Sequence, residues 1–482
     1  RGRVLAGMGV PDLRGSLGLS TCYTEHDATQ TGESETVIRL HRSASGSIAT
    51  YLPGPLQPKT KAAAEFPITI DVDSAAGTVK IRSTGTPAQL EVGQRQWSDW
   101  LAVKFKLGLL QSVQGVVRFY LGAVTPALQL YASPIHFDPH APMFPISWPP
   151  EYSGDLAHRI GTYHTAGMAE DHGGLSNGRL DEEAFLTQCQ DVYREREAML
   201  LDELSTLREG LLFCLFDTPD RVQHMFWRFR EPDHPANRAG CRNGFGAVIE
   251  DHYRQCDGTV GKVLAQADDA TLVVVLSDHG FGSFRRGVHL NTWLHDQGLL
   301  ALRAGVWPGH DARDLLRDVD WSRTRAYALG LGGIYLNRQG REAQGTVPDQ
   351  DAEPLKAAIA AELRGLPDQE CQAVAVRDVV TREQVYHGPY TEAAPDLLVH
   401  FAPGYRASWT TALGGMGRGH FEDNTRKWAG DHIIDPALVP GVLLMNRPHR
   451  NSRPRLLDLA PTLLDGFGVP QDPAMQGETL LT

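Results

Sequence analysis

Apolar and polar positions alternate in short runs from about Thr36 to Leu130: ETVIRL, FPITIDV, GTVKIRS, WLAVKFKL, GVVRFYLG and ALQLYAS, with Gly, Pro, Ser and Asn/Asp clusters between them. A period of two over four to eight residues is the signature of a half-buried strand. The pattern therefore predicts an antiparallel sheet or small barrel over 36–130, read as a β-rich insertion. Residues 1–24, punctuated by Gly and Pro, read as a loop, and 136–154 as a proline-rich connector. The period turns helical over 180–207, where acids open the segment and Arg and Glu cover its outer face. Strands and helices then alternate. A strand is expected at 210–216, a helix at 247–266, a strand at 271–277 and a helix at 290–300. Further strands are expected within 326–337, 395–401 and 439–445, and 453–470 closes the chain as a helix. Such alternation predicts an α/β fold with a mostly parallel sheet covered on both faces. Its core would comprise 1–35 and 131–482.

Composition narrows the function. The 482 residues exceed one average domain, and 41% apolar with 22% charged residues describes a globular protein with a substantial core. A net charge of −12 argues against nucleic-acid binding through a broad basic surface, though not against a local basic pocket. The six cysteines (Cys22, Cys189, Cys214, Cys241, Cys256 and Cys371) are scattered and form no CxxC, so neither a zinc knuckle nor a disulfide scaffold is expected. Their scatter leans toward a reducing interior, while the compartment stays open. No apolar run approaches ~20 residues, so no membrane span is expected. The chain starts RGRVLAGMGVPDLRGSLG, without Met or a leader pattern, and reads as the middle of a domain.

The chemistry concentrates in three acid–histidine groups, two of them at ends of predicted strands, where open α/β sheets gather their ligands. Asp220 and His224 in LFDTPDRVQHMFWRF are four apart, which puts both on one face of a helical turn. Asp278 and His279 end the apolar run TLVVVLSDHG, and His432 follows Asp431 in KWAGDHIIDPALVPGVLLM. Carboxylate and imidazole donors without thiolate suit Zn²⁺ or Mn²⁺ better than Ca²⁺ or an iron–sulfur cluster. Taken singly, each group also fits a structural role: a helix cap at Asp220 with an interfacial His224, or a turn acid beside a core histidine at Asp278–His279. The joint occurrence favours a metal site. Asp217 reads as turn chemistry, and Trp97 and Trp100 as packing within the β-rich segment. Arg285, Arg286, His289, Arg406 and His420 read as solvated loop residues, compatible with contact to an anionic substrate.

The motifs DTPDRVQHMFWR, VVVLSDHGFGSF, WAGDHIIDPALVPGVLL and LLDLAPTLLDGFGVP, in that order, resemble the type I phosphodiesterase/nucleotide pyrophosphatase branch of the alkaline phosphatase superfamily. The resemblance covers most of 137–482. It implies an alkaline phosphatase-like three-layer α/β sandwich with two divalent metal ions, Zn²⁺ or alternatively Mn²⁺, at the strand ends. By motif, Asp220, His224 and His432 would hold one ion, and Asp278 and His279 the other. Two cations suit phosphoryl transfer because they clamp the attacking and leaving oxygens. The implied activity is hydrolysis of a phosphodiester or pyrophosphate bond in a small phosphate ester or nucleotide-like substrate, through a covalent phospho-enzyme.

One departure stands out. In the family, a strand-end Asp and a Thr or Ser nucleophile precede these motifs. Residues 1–24 offer no such arrangement, and Thr21 and Thr24 have no strand and acid before them. The expectation is a nucleophile encoded upstream of Arg1, one ion bound more readily than two, and little turnover by this chain. Phosphomonoesterase, sulfatase, phosphonate hydrolase and mutase activities share much of such a site. The reading of another class is a non-catalytic scaffold with a residual metal site, its β-rich segment engaging a partner.

Overall fold

The computed structural model describes residues 2–26, 34–43, 46–83, 89–108, 111–238 and 244–481, and Cys241 lies outside them. The chain forms two compact units, Arg1–Val222 and Gln223–Thr482. It is a mixed α/β protein with several small sheets.

In the first unit the predicted alternation is realised. Along Leu101–Lys106, Leu101, Val103 and Phe105 point into the core while Ala102, Lys104 and Lys106 face solvent. Ser47–Leu56, Ala63–Asp73, Thr78–Ser83 and Gln89–Gly93 form an antiparallel meander. The first of these strands escapes the pattern because Pro53 and Gly54 interrupt it. The structure accommodates them with a register shift between Pro53 and Leu56, and a Cβ at Gly54 would come 2.3 Å from the Phe105 ring. Ser20–Thr24, expected as loop, is a fully buried strand between Gln129–Ala132 and Glu35–Arg39. Trp97 and Trp100 do pack: Trp97 against Tyr120 and Tyr131, Trp100 against His136 and His164. The long helix Glu182–Thr206 starts where its acids place it, with the Asp181 side chain accepting from the Ala184 N–H.

The second unit has its own core around Val288, Leu290, Trp293, Ile334, Leu336, Ile359, Leu397 and Phe401. The helices Val248–Leu264, Leu290–Asp296 and Leu459–Gly466 lie where periodicity puts them. Residues 326–337 form a hairpin of Ala326–Leu329 and Gly333–Leu336, turned by Gly330 and Gly332 at φ 79° and 129°. Gly282–Val288 was not expected as a strand. It pairs in parallel with Gly404–Ala407 and antiparallel with Phe421–Asp423 and Gly430–Asp431.

Two differences from the expected pattern stand out. Residues 210–216 carry the apolar run of a strand but have no strand partner among the described residues. Composition can favour extension, yet it cannot supply the neighbouring ladder that defines a sheet. Pairing of named strands is antiparallel except for Ser20–Thr24 with Glu35–Arg39 and Gly282–Val288 with Gly404–Ala407.

The arginines expected in solvated loops are mostly buried. Arg286 is 7% exposed, met by Asp368, Glu370 and Asp423, and Arg406 is 1% exposed. His289 is buried as well, its Nδ1 2.8 Å from the Ser408 hydroxyl. For Arg286, partners more than eighty residues away in the chain make burial of the charge tolerable, and for Arg406 the partner is Asp431. Arg285 pairs with Glu231 and Asp233, and His420 with Asp296, on partly exposed ground.

Candidate metal centre

Asp220 and His224 sit on the helix Thr218–Phe226. Asp217 opens the helix through its carbonyl, which accepts from the Asp220 and Arg221 N–H groups. Pro219 follows in the first turn, where a missing N–H costs nothing. The Thr218 hydroxyl donates to Glu170 Oε1 at 2.7 Å, both residues fully buried. Burial, and then the Asp217 carboxylate, push the Glu170 carboxyl above its usual range. One turn on, Arg221 is ion-paired to Oδ2 of Asp220.

His224 Nδ1 is 2.7 Å from the carbonyl oxygen of Gly430. A carbonyl only accepts, so Nδ1 carries a proton, and Nε2 is the ring nitrogen left for a metal. The His224 carbonyl in turn accepts from the Ala429 N–H at 2.8 Å. This close approach requires glycine at 430, because a Cβ there would lie 2.5 Å from the Gln223 carbonyl oxygen and 2.9 Å from Trp227 Cβ.

His279 follows the strand Val274–Leu276 and repeats the device, with Nδ1 3.0 Å from the Gly280 carbonyl oxygen. Gly280 is itself tied down by its N–H to Val439 O at 2.8 Å, and a Cβ there would meet Pro440 O at 2.6 Å. The His279 ring stacks on His432 with centroids 3.6 Å apart and planes 12° from parallel. His432 leaves the short strand Gly430–Asp431, which pairs with Gly282 and Ser283. Its ring centroid is 5.3 Å from that of His224. Phe281 lies against all three imidazoles, at 4.7 Å from His224, 5.4 Å from His432 and 5.9 Å from His279.

The five residues singled out from sequence are thus distributed as follows. Asp220, His279 and His432 each offer a donor atom, and these atoms lie within 4.8 Å of one another. His224 stands beside this trio. Asp278 adjoins His279, its Oδ2 3.5 Å from His279 Nε2, with a mostly exposed carboxylate. The trio takes members from both of the ligand sets that the resemblance implies. Three nitrogen and oxygen donors with no thiolate fit a divalent zinc or manganese ion with an open coordination position. The carbonyl-anchored Nδ1 atoms are the usual means of aiming Nε2 at a metal.

Sequence reasoning passed over Phe281 and Trp428. It named Asp431 only as the neighbour of His432, and it read Arg406 as a solvated loop residue, whereas Arg406 is buried and ion-paired with Asp431.

A family model described as type I phosphodiesterase / nucleotide pyrophosphatase matches residues 138–432. No curated protein matches the chain.

Proposed function

The chain belongs to the type I phosphodiesterase/nucleotide pyrophosphatase family, and from that premise we propose that Asp220, His224, Asp278, His279 and His432 form a divalent-metal centre for phosphodiester or pyrophosphate hydrolysis. The observation that carries this reading is the convergence of donor atoms from Asp220, His279 and His432 within 4.8 Å, from segments up to 212 residues apart in sequence. In this reading the trio takes the first ion. With two ions the ligands divide as the family's motifs imply, Asp220, His224 and His432 on one, Asp278 and His279 on the other. The finer fold assignment, an alkaline phosphatase-like three-layer sandwich with 36–130 as an inserted β-rich module, belongs to the same proposal.

Bound divalent ions supply Lewis acidity toward a phosphoryl oxygen and offset the negative charge of the transition state. The protein's own residues orient and desolvate. Arg221 occupies Oδ2 of Asp220, so the carboxylate is directed through its other oxygen. The carbonyls of Gly430 and Gly280 hold the His224 and His279 rings in one tautomer. Phe281 covers the imidazoles on one side and limits the water that reaches them, which strengthens charge interactions there.

The test is hydrolysis of a nitrophenyl panel, comprising phosphodiester, phosphomonoester and sulfate, by the natural gene product with and without chelator. The proposal expects the diester to be preferred and the activity to vanish with chelation and with His432→Ala. Preference for the monoester or the sulfate, or full activity after chelation, would overturn it.

A further inference from the structure

Asp431 lies next to a proposed ligand but is not among the converging donor trio, and the residue is 3% exposed. Its Oδ1 accepts from the backbone N–H groups of His432 at 2.8 Å and Ile433 at 3.0 Å. Its Oδ2 accepts from Trp428 Nε1 at 3.0 Å and is ion-paired with Arg406 Nε at 3.0 Å. The backbone bonds and the Trp428 bond lead to proposed ligands. The two backbone bonds fix the point where the His432 ring leaves the chain. The Trp428 indole lies stacked on the His224 ring, centroids 3.6 Å apart and planes 29° from parallel. One carboxylate therefore constrains two imidazoles that come from different segments, His224 from the helix and His432 from the strand end.

Arg406 explains how such a charge can be buried. Its guanidinium lies between the Phe284 ring, 4.3 Å away, and the Trp409 ring, 4.0 Å away. Burial lowers its pKa from the ordinary arginine value and Asp431 acts in the opposite direction. Removing two charges from water is costly unless geometry and hydrogen bonds compensate. Here a carboxylate that accepts three hydrogen bonds is ion-paired with an arginine clasped between two aromatic faces.

We propose that Asp431, held by Arg406 and acting through Trp428 and the backbone of His432, is the positioning residue that sets the geometry of the metal centre. It aligns His224 and His432 without binding the ion. This inference rests on the metal reading above. Groups behind metal ligands typically change affinity by about 10–100-fold when removed, and Asp431 fits that class.

The test is zinc affinity by competition with a chromophoric chelator, together with the visible spectrum of the Co²⁺-loaded protein. Both are measured on the wild type, Asp431→Asn and Trp428→Phe. Asparagine keeps the shape and the acceptor for the two backbone N–H groups, but turns an amide N–H₂ toward Trp428 Nε1 or Arg406. Phenylalanine keeps a stacking ring and deletes the indole donor. The expected result for Asp431→Asn is zinc affinity reduced about 10–100-fold with changed Co²⁺ d–d bands and unchanged metal-free Tm. Trp428→Phe is expected to shift both quantities in the same direction by less.

If the wild type binds no Zn²⁺ or Co²⁺, the metal reading falls and takes this inference with it. If the wild type binds and both variants match it in affinity and spectrum, the metal reading stands and the positioning role is refuted. A fall in metal-free Tm with an unchanged Co²⁺ spectrum makes Asp431 merely structural and also refutes it. If Asp431→Asn does not fold, Trp428→Phe decides by the same criteria.

Discussion

At the residue scale, two hydrogen bonds to carbonyl oxygens constrain what His224 and His279 can do, because each engages Nδ1 and leaves Nε2 as the ring nitrogen available to a metal. In the proposed centre Asp220, His279 and His432 share one ion, so loss of any one should be felt in full. Asp220→Ala, His279→Ala and His432→Ala are each expected to weaken the first zinc-binding step at least 100-fold, read by the same chelator competition. Asp278→Ala, which removes a carboxylate outside the trio, should weaken that step far less. A second prediction concerns His252, buried in the helix Val248–Leu264. Burial lowers its pKa from 6.5 to about 4. The folded protein therefore keeps the ring neutral where the unfolded chain is protonated. Stability from this site is complete above about pH 6.5 and is lost as pH falls toward 4. His252→Phe should flatten urea-derived stability across that window. The acid–histidine motifs were legible because their spacing is local. The burial of Arg406 and Arg286 was not, since it depends on acids in other segments that no local pattern pairs with them, Asp431 for Arg406 and Asp368 and Asp423 for Arg286.

At the scale of elements, the centre depends on how closely the strand Gly430–Asp431 approaches the helix Thr218–Phe226. Gly430→Ala would set a methyl 2.5 Å from the Gln223 carbonyl oxygen. Overpacking of this kind costs about 1–3 kcal/mol. Since the strand also carries the carbonyl that holds His224, the variant should lose zinc affinity as well as stability. An alanine at Gly419, where a Cβ meets nothing within 4 Å, should change neither. Helix periodicity and two-residue alternation revealed most elements, because both follow from which face is buried. They could not reveal pairing. Gly282–Val288 has polar and charged residues in a strand position, and only its three neighbouring strands account for it. The run at 210–216 shows the converse, apolar enough for a strand yet unpaired among the described residues.

At the scale of the whole molecule, family membership places the chain among phosphodiesterase/nucleotide pyrophosphatase-type hydrolases, and the net charge is acidic. No helix among the described residues is long and apolar enough to cross a membrane. A ligand that binds only the folded state stabilises it by about 2.7 kcal/mol at 100 times its Kd. Zinc at that excess should raise the Tm by several degrees, chelation should reverse the rise, and His432→Ala should abolish it. The central claim is that Asp220, His279 and His432 bind one ion together. Anomalous diffraction at the zinc absorption edge, on crystals of the zinc-loaded protein, addresses it most directly. The account predicts a peak with all three side chains at bonding distance, about 2.0–2.2 Å for their oxygen and nitrogen donors. A zinc peak elsewhere, or none at these three residues, would contradict it.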